Sequence, residues 1–175
     1  MASVSGGAGF EDAMRRIGER MKSAQVRVGF LEDATYPDGT KVAAVAALNN
    51  YGAPAAGIPP RPFFTNMVAD QSPAWGDRFA QVLADAGYDP DLALERMGLG
   101  IEGQLRQAIV DVRDPANSPV TDLLKQRFPT GDGVTFADVR QAREDVANGI
   151  TAAPGKPLVW SGHLLASVDS EVEDL

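Results

Sequence analysis

Three features of this 175-residue chain point to an α+β fold: a small mixed or antiparallel sheet with helices packed on one face, plus a helical excursion. Near the start, Val26, Val28 and Phe30 alternate with Gln25, Arg27 and Gly29, the two-residue period of a strand with one buried face. Near the end, Val168 and Val172 with Ser170 between them define one face of a terminal strand. Between these, apolar residues recur mostly at helical spacing. With 44% hydrophobic and 23% charged residues, the chain has the balance of one folded domain with one core. We expect a single domain over 1–175: an N-terminal helix within 1–24, a core from 25–112 and 155–175, and an excursion over 113–154.

The first element is an amphipathic helix. Phe10, Met14, Ile17 and Met21 recur at spacings of four, three and four, with Arg15, Arg16, Glu19 and Arg20 between them, so an apolar stripe needs a partner and the adjacent sheet should supply it. After the first strand, Tyr36-Pro37-Asp38-Gly39 makes a turn, Thr40 is placed to cap a helix, and Lys41 to Tyr51 carry Val42, Val45, Ala46 and Leu48 on a helical face closed by Gly52. Gly52 to Phe64 contains three prolines within four positions, which predicts extended, donor-poor backbone with no helix before Pro62. Pro62 suits the first position of the next helix, whose apolar face is Phe63, Met67 and Val68. Ser72-Pro73 reads as a cap and restart for Trp75, Phe79, Val82 and Leu83. Pro90 opens another helix with core positions Leu94, Met97, Ile101, Leu105 and Ile109. In the excursion, Ser118-Pro119 can start a helix through Arg127, and Phe136, Val139, Ala142 and Val146 suggest a second. Neither carries enough apolar surface to fold alone. Ser161 is placed to cap a helical turn through Ser167, just before the last strand.

Composition narrows the chemistry. Net charge −8 argues against a dedicated phosphate-clamping domain. Without Cys there is no disulfide or thiolate site, and with His163 as the only histidine, zinc sites needing several imidazoles are gone. No run reaches the ~20 apolar residues of a membrane span, and the N-terminus lacks the pattern of a signal peptide, so a cytoplasmically made protein is expected. Ser161, His163 and Asp169 could suggest a hydrolase, but no G-x-S-x-G elbow surrounds the serine. The carboxylate groups Glu32-Asp33, Asp89-Asp91, Glu144-Asp145 and Glu171-Glu173-Asp174 read as solvated surface in an acidic chain. Gly131-Asp132-Gly133 and Gly6-Gly7-Ala8-Gly9 match no phosphate loop. Arg15, Arg16, Arg20, Lys22 and Arg27 form the one dense basic cluster, which a DNA-binding accessory protein could use and which otherwise reads as a solvated helix face. No catalytic, cofactor or metal residue is assigned.

Three blocks carry a resemblance. Val26-Arg27-Val28-Gly29-Phe30-Leu31 with Val42 to Gly52, then Ile58-Pro59-Pro60-Arg61-Pro62-Phe63-Phe64, then Lys156-Pro157-Leu158-Val159-Trp160-Ser161-Gly162-His163-Leu164-Leu165-Ala166-Ser167-Val168 are together similar, in content and order, to the neck and tail-completion proteins of tailed bacteriophages and prophages, including the virion-morphogenesis and minor tail protein Z groups. The resemblance covers residues 25 to 175 with a gap at 113–154, where the excursion is longer than the family's usual link. It implies a non-enzymatic virion subunit, a homo-oligomeric ring at the head–tail neck or upper tail. Its implied partners are connector or stopper, tail terminator and tail-tube proteins, with DNA only as passing cargo and no membrane. A rigid proline segment bearing a planar cation and aromatics has the traits of an interface anchor, so Arg61, Pro62, Phe63 and Phe64 are candidate interface residues, with Trp160, His163, Leu164 and Leu165 beside them. We expect one phenylalanine to point inward and Arg61 to point outward.

Overall fold

The computed structural model describes residues 7–20 and 24–174, with side chains except at 7, 8, 13, 16, 17, 19 and 20. The fold is α+β. Strand β1 (Ala24–Gly29) pairs antiparallel with β2 (Asp169–Asp174), placing Val26 opposite Val172 and Val28 opposite Ser170. Among the described residues these two strands are the whole sheet, and the short bridges Thr35 to Lys41 and Ala53 to Ile58 only pin loops. A two-stranded ribbon is marginal alone and needs a helix against it.

That helix comes from the middle of the chain. In chain order the helices are α1 (Gly7–Arg20), α2 (Val42–Tyr51), α3 (Phe63–Gln71), α4 (Trp75–Asp85), α5 (Pro90–Asp111), α6 (Pro119–Arg127), α7 (Phe136–Ala147) and the short α8 (His163–Ala166). The 22-residue α5 packs on both strands and also against α3 and α4. At Gly98 it lies tight against the sheet: a Cβ would stand 2.7 Å from Ser170 Oγ and 3.0 Å from Val26 Cγ2. The missing side chain therefore sets the spacing. It also turns the helix: Ala93, Gly98 and Glu102 are buried with Met97, Leu105 and Ile109, while the expected core positions Leu94 and Ile101 are half-buried.

The main core joins Val42 and Ala46 of α2, Phe63 and Met67 of α3, Leu105 and Ile109 of α5, and Leu158, Leu164 and Val168 of the C-terminal segment. A second cluster, Leu123, Leu124 and Ala142, lies between α6 and α7, with Trp160 packed against it. Ser118 caps α6 by accepting from the Thr121 N–H, and Thr135 with Asp138 forms a capping box on α7.

Several local expectations need correction. The described part of the α1 stripe is not buried on the sheet: the helix's main contact is with α5, Phe10 and Met14 are exposed, and the Ile17 side chain and Met21 lie outside the described residues. Thr40 does not cap α2; Lys41 occupies that position, and the Thr40 N–H is held by Asp38 Oδ1 at 2.9 Å. Pro54–Ala56 forms one 3₁₀ turn, because a 3₁₀ start needs no N–H from its first proline, so the proline-rich stretch is not extended throughout. Pro62 stands just outside α3 as its N-cap. Phe136, expected to face a core, is 79% exposed.

Candidate functional site

Two motif blocks that are separate in sequence form one unit. Asn50 on α2 is buried, and its Oδ1 accepts the N–H groups of Phe64 at 3.0 Å and Thr65 at 3.3 Å. A side chain from α2 thus satisfies orphan donors at the start of α3, where Pro62 has no N–H and offers no side-chain oxygen. The Arg61 N–H bonds to Asn49 O at 2.7 Å, closing the same corner from the other side. Gly52 lies under Pro60: its φ is +75°, and a Cβ there would be 2.8 Å from Pro60 N, so the turn requires glycine for both conformation and space. Phe63 then enters the main core, edge-on to Phe30 with ring centroids 6.5 Å apart.

The third block joins through His163. Its Nε2 lies 2.9 Å from Thr35 O, so this nitrogen carries the proton and donates. The ring also stacks on Tyr36 at a centroid distance of 4.6 Å, and burial beside Asp38 raises the Tyr36 pKa above its ordinary value. Ser161 does not cap α8 as expected: Gly162, at φ +82°, is the N-cap, and Ser161 Oγ accepts the His163 N–H at 3.3 Å as a local turn contact. Asp169 Oδ1 accepts the Ser170 N–H at 2.9 Å. Among the described residues, then, the hydroxyl, ring and carboxylate of the supposed triad point to three different partners.

Arg61 points inward, against expectation. It is 8% exposed; Nε donates to Pro115 O at 2.9 Å and Nη2 to Ala116 O at 3.3 Å. Its planar fork matches two successive carbonyls at the root of the excursion. Burial lowers its pKa from the ordinary guanidinium value. Lys125 on α6 ties the excursion to the C-terminal segment: Nζ donates to Lys156 O at 2.7 Å, Val159 O at 3.0 Å and Pro157 O at 3.3 Å, and stands 6.0 Å from the Trp160 ring centre. Burial chiefly lowers the Lys125 pKa, with Asp122 opposing and Arg61 adding to the shift. The buried Asp122 accepts Asn117 Nδ2 at 2.9 Å and the Gly155 N–H at 3.1 Å, and Trp160 Nε1 donates to Phe128 O at 2.6 Å.

These contacts frame a broad groove of about 1490 Å³ between the body and the excursion, lined among others by Tyr36, Arg61, Lys125, Trp160, His163 and Leu164. A smaller cleft of about 500 Å³ beside it is lined by Arg61, Pro62, Phe63, Asp70, Asp111 and Asp114 among others. Of the expected interface residues, Pro62 is exposed; Phe64, Trp160, His163 and Leu165 are half-buried; Arg61, Phe63 and Leu164 are buried. In the basic cluster, Lys22 and the side chains of Arg16 and Arg20 lie outside the described residues, Arg15 pairs with Asp12, and Arg27 pairs with Glu173 at 2.6 Å.

Sequence reasoning missed the buried polar residues. Glu102 is 4% exposed, accepts Ser170 Oγ at 2.6 Å and pairs with Arg106 at 2.7 Å, while Arg106 Nη2 donates to Val168 O at 2.5 Å. The signal was its position in the phase of Gly98, Leu105 and Ile109. Among the described residues no group of three or more His, Asp or Glu is placed to hold a metal ion, and no helix is long and apolar enough to cross a membrane. No protein-family model, curated protein or solved structure matches the chain.

Proposed function

We propose that the chain is a structural subunit of a tailed phage or prophage particle, which forms a homo-oligomeric ring at the head–tail neck or upper tail and completes tail assembly or attachment. The supporting observation is that the three blocks carrying the resemblance pack as one module. Asn50 holds the start of α3, Phe63 meets Phe30, and Leu158, Leu164 and Val168 share one core with Val42, Ala46 and Phe63.

In this role the subunit is non-enzymatic and resides in the virion. It packs against itself and against connector or stopper, terminator or tail-tube proteins. Arg61, Phe63 and Leu164 hold the protomer, and Pro62, Phe64, Trp160, His163 and Leu165 supply contact area toward neighbours. A net charge of −8 suits a lumen that lets DNA pass without gripping its phosphates. Quantitative mass spectrometry of gradient-purified particles provides the test. The chain should co-purify at a fixed, low copy number per particle; its absence from purified infectious particles would refute the assignment.

A further inference from the structure

Two apolar faces of this chain lie uncovered, on different elements. Helix α2 carries no charged residue, and only Val42, Ala46 and Asn50 are buried. The opposite side presents Ala44, Ala47, Leu48 and Tyr51, a stripe at i, i+3, i+4 and i+7, with Leu48 47% and Tyr51 70% exposed. Helix α1 presents Phe10 at 67% and Met14 at 51%. Those exposures mean that neither stripe covers the other within a protomer. Helix α2 is enclosed on the side of Val42, Ala46 and Asn50 and open on the side of Ala44, Ala47, Leu48 and Tyr51.

The sequences beside the two stripes also differ in charge. Residues 15–27 hold five bases, Arg15, Arg16, Arg20, Lys22 and Arg27, against Glu19 alone, with Arg15 paired to Asp12 and Arg27 of β1 paired to Glu173 within the protomer. Residues 31–40, which lead into α2, hold Glu32, Asp33 and Asp38 and no base. Lys41 follows, its ammonium held on Glu32 O at 2.6 Å. An antiparallel α1 on α2 sets the basic end of one helix against the acidic approach to the other. The lengths fit as well, about 21 Å for α1 and about 15 Å for α2 at 1.5 Å per residue.

We propose that α1 of one copy docks by Phe10 and Met14 on the Ala44, Ala47, Leu48 and Tyr51 face of α2 of a second copy. The contact is heterologous, head to tail, the kind that closes into a ring when the rotation between copies permits. It rests on the homo-oligomeric assembly proposed above and identifies the surface that builds it. The apolar stripes supply the contact area, and the opposed charges set partner and register.

The test uses the full-length chain with Phe10→Glu and Leu48→Glu, both at exposed sites, each variant checked for a wild-type thermal unfolding profile. Light scattering coupled to gel filtration over a concentration series should find wild type above its 18.5 kDa protomer mass. Each variant alone should associate about 30-fold or more weakly, the scale of losing a buried anchor. Mixed together, they retain one intact α1 and one intact α2 face, so the mixture should recover a heterodimer and nothing larger. If either variant fails to fold, Met14→Glu and Tyr51→Glu replace the pair. Monomeric wild type, variants that associate like wild type, or a mixture with no heterodimer would overturn the proposal. A monomeric chain that is still present in particles would leave the virion role standing, and a self-associating chain absent from particles would remove that role alone.

Discussion

Gly98, Gly100 and Gly103 share one helix and differ in what surrounds them. At Gly98 an added methyl meets Ser170 and Val26 on both strands, whereas at Gly100 and Gly103 nothing lies within 4 Å of the built position. Gly98→Ala should therefore destabilise by about 1–3 kcal/mol through overpacking, despite the helix preference of alanine. Gly100→Ala and Gly103→Ala should stabilise by up to about 1 kcal/mol each. Urea unfolding of the three variants measures both signs; an equal response at all three would mean that α5 does not meet the sheet at Gly98. Arg61 carries a different lesson. A cation beside three prolines reads as surface, but its acceptors, Pro115 O and Ala116 O, come from 54 and 55 residues further along the chain. No local pattern encodes such a partner.

At the scale of elements, the legible parts were those whose signals are local. Val26 and Val28 lie in β1 as their alternation predicts, although the strand ends at Gly29, before Phe30, and Ser118-Pro119 marks the start of α6 because a capping hydroxyl followed by proline favours a helix N-terminus. The rotation of α5 was not legible, since it is set by contact with two strands from opposite ends of the chain. Nor was the cap on α3, which arrives from Asn50 of another helix. The α6–α7 pair has a pH dependence of its own. Hydrogen bonds from Thr135 hold the Asp138 carboxyl below the usual carboxylate range, and hydrogen bonds from Arg127 and then Gln141 do the same for Asp145. A depressed folded-state pKa means that the unfolded chain takes up protons first as pH falls. The stabilisation is thus complete above the unfolded value and disappears as pH falls through the folded one, below about pH 4. Amide protection factors in α6 and α7 should fall across that window, and Asp145→Asn should flatten the part of the change that Asp145 contributes. An unchanged profile in the variant would remove the Arg127–Asp145 contact, 2.6 Å long, from the account.

For the whole molecule, the architecture divides labour between a core that joins α2, α3 and α5 to the C-terminal segment and an excursion with its own small cluster, tied down by Arg61, Asp122, Lys125 and Trp160. Those ties use carbonyls and backbone amides heavily, so the candidate residues spend their polar groups on holding the protomer together. Apolar side chains remain outward on α1 and α2, at Phe10, Met14, Leu48 and Tyr51. Such a division suits a part whose work is to be shaped and stacked. The most direct test of the proposed virion role is to delete the gene from the genome that encodes it and examine by electron microscopy the particles produced, with the purified chain added back to the lysate. The account predicts filled heads and tails that remain unjoined or unfinished, with infectivity restored by the wild-type chain. Complete, infectious particles formed without the gene would contradict it.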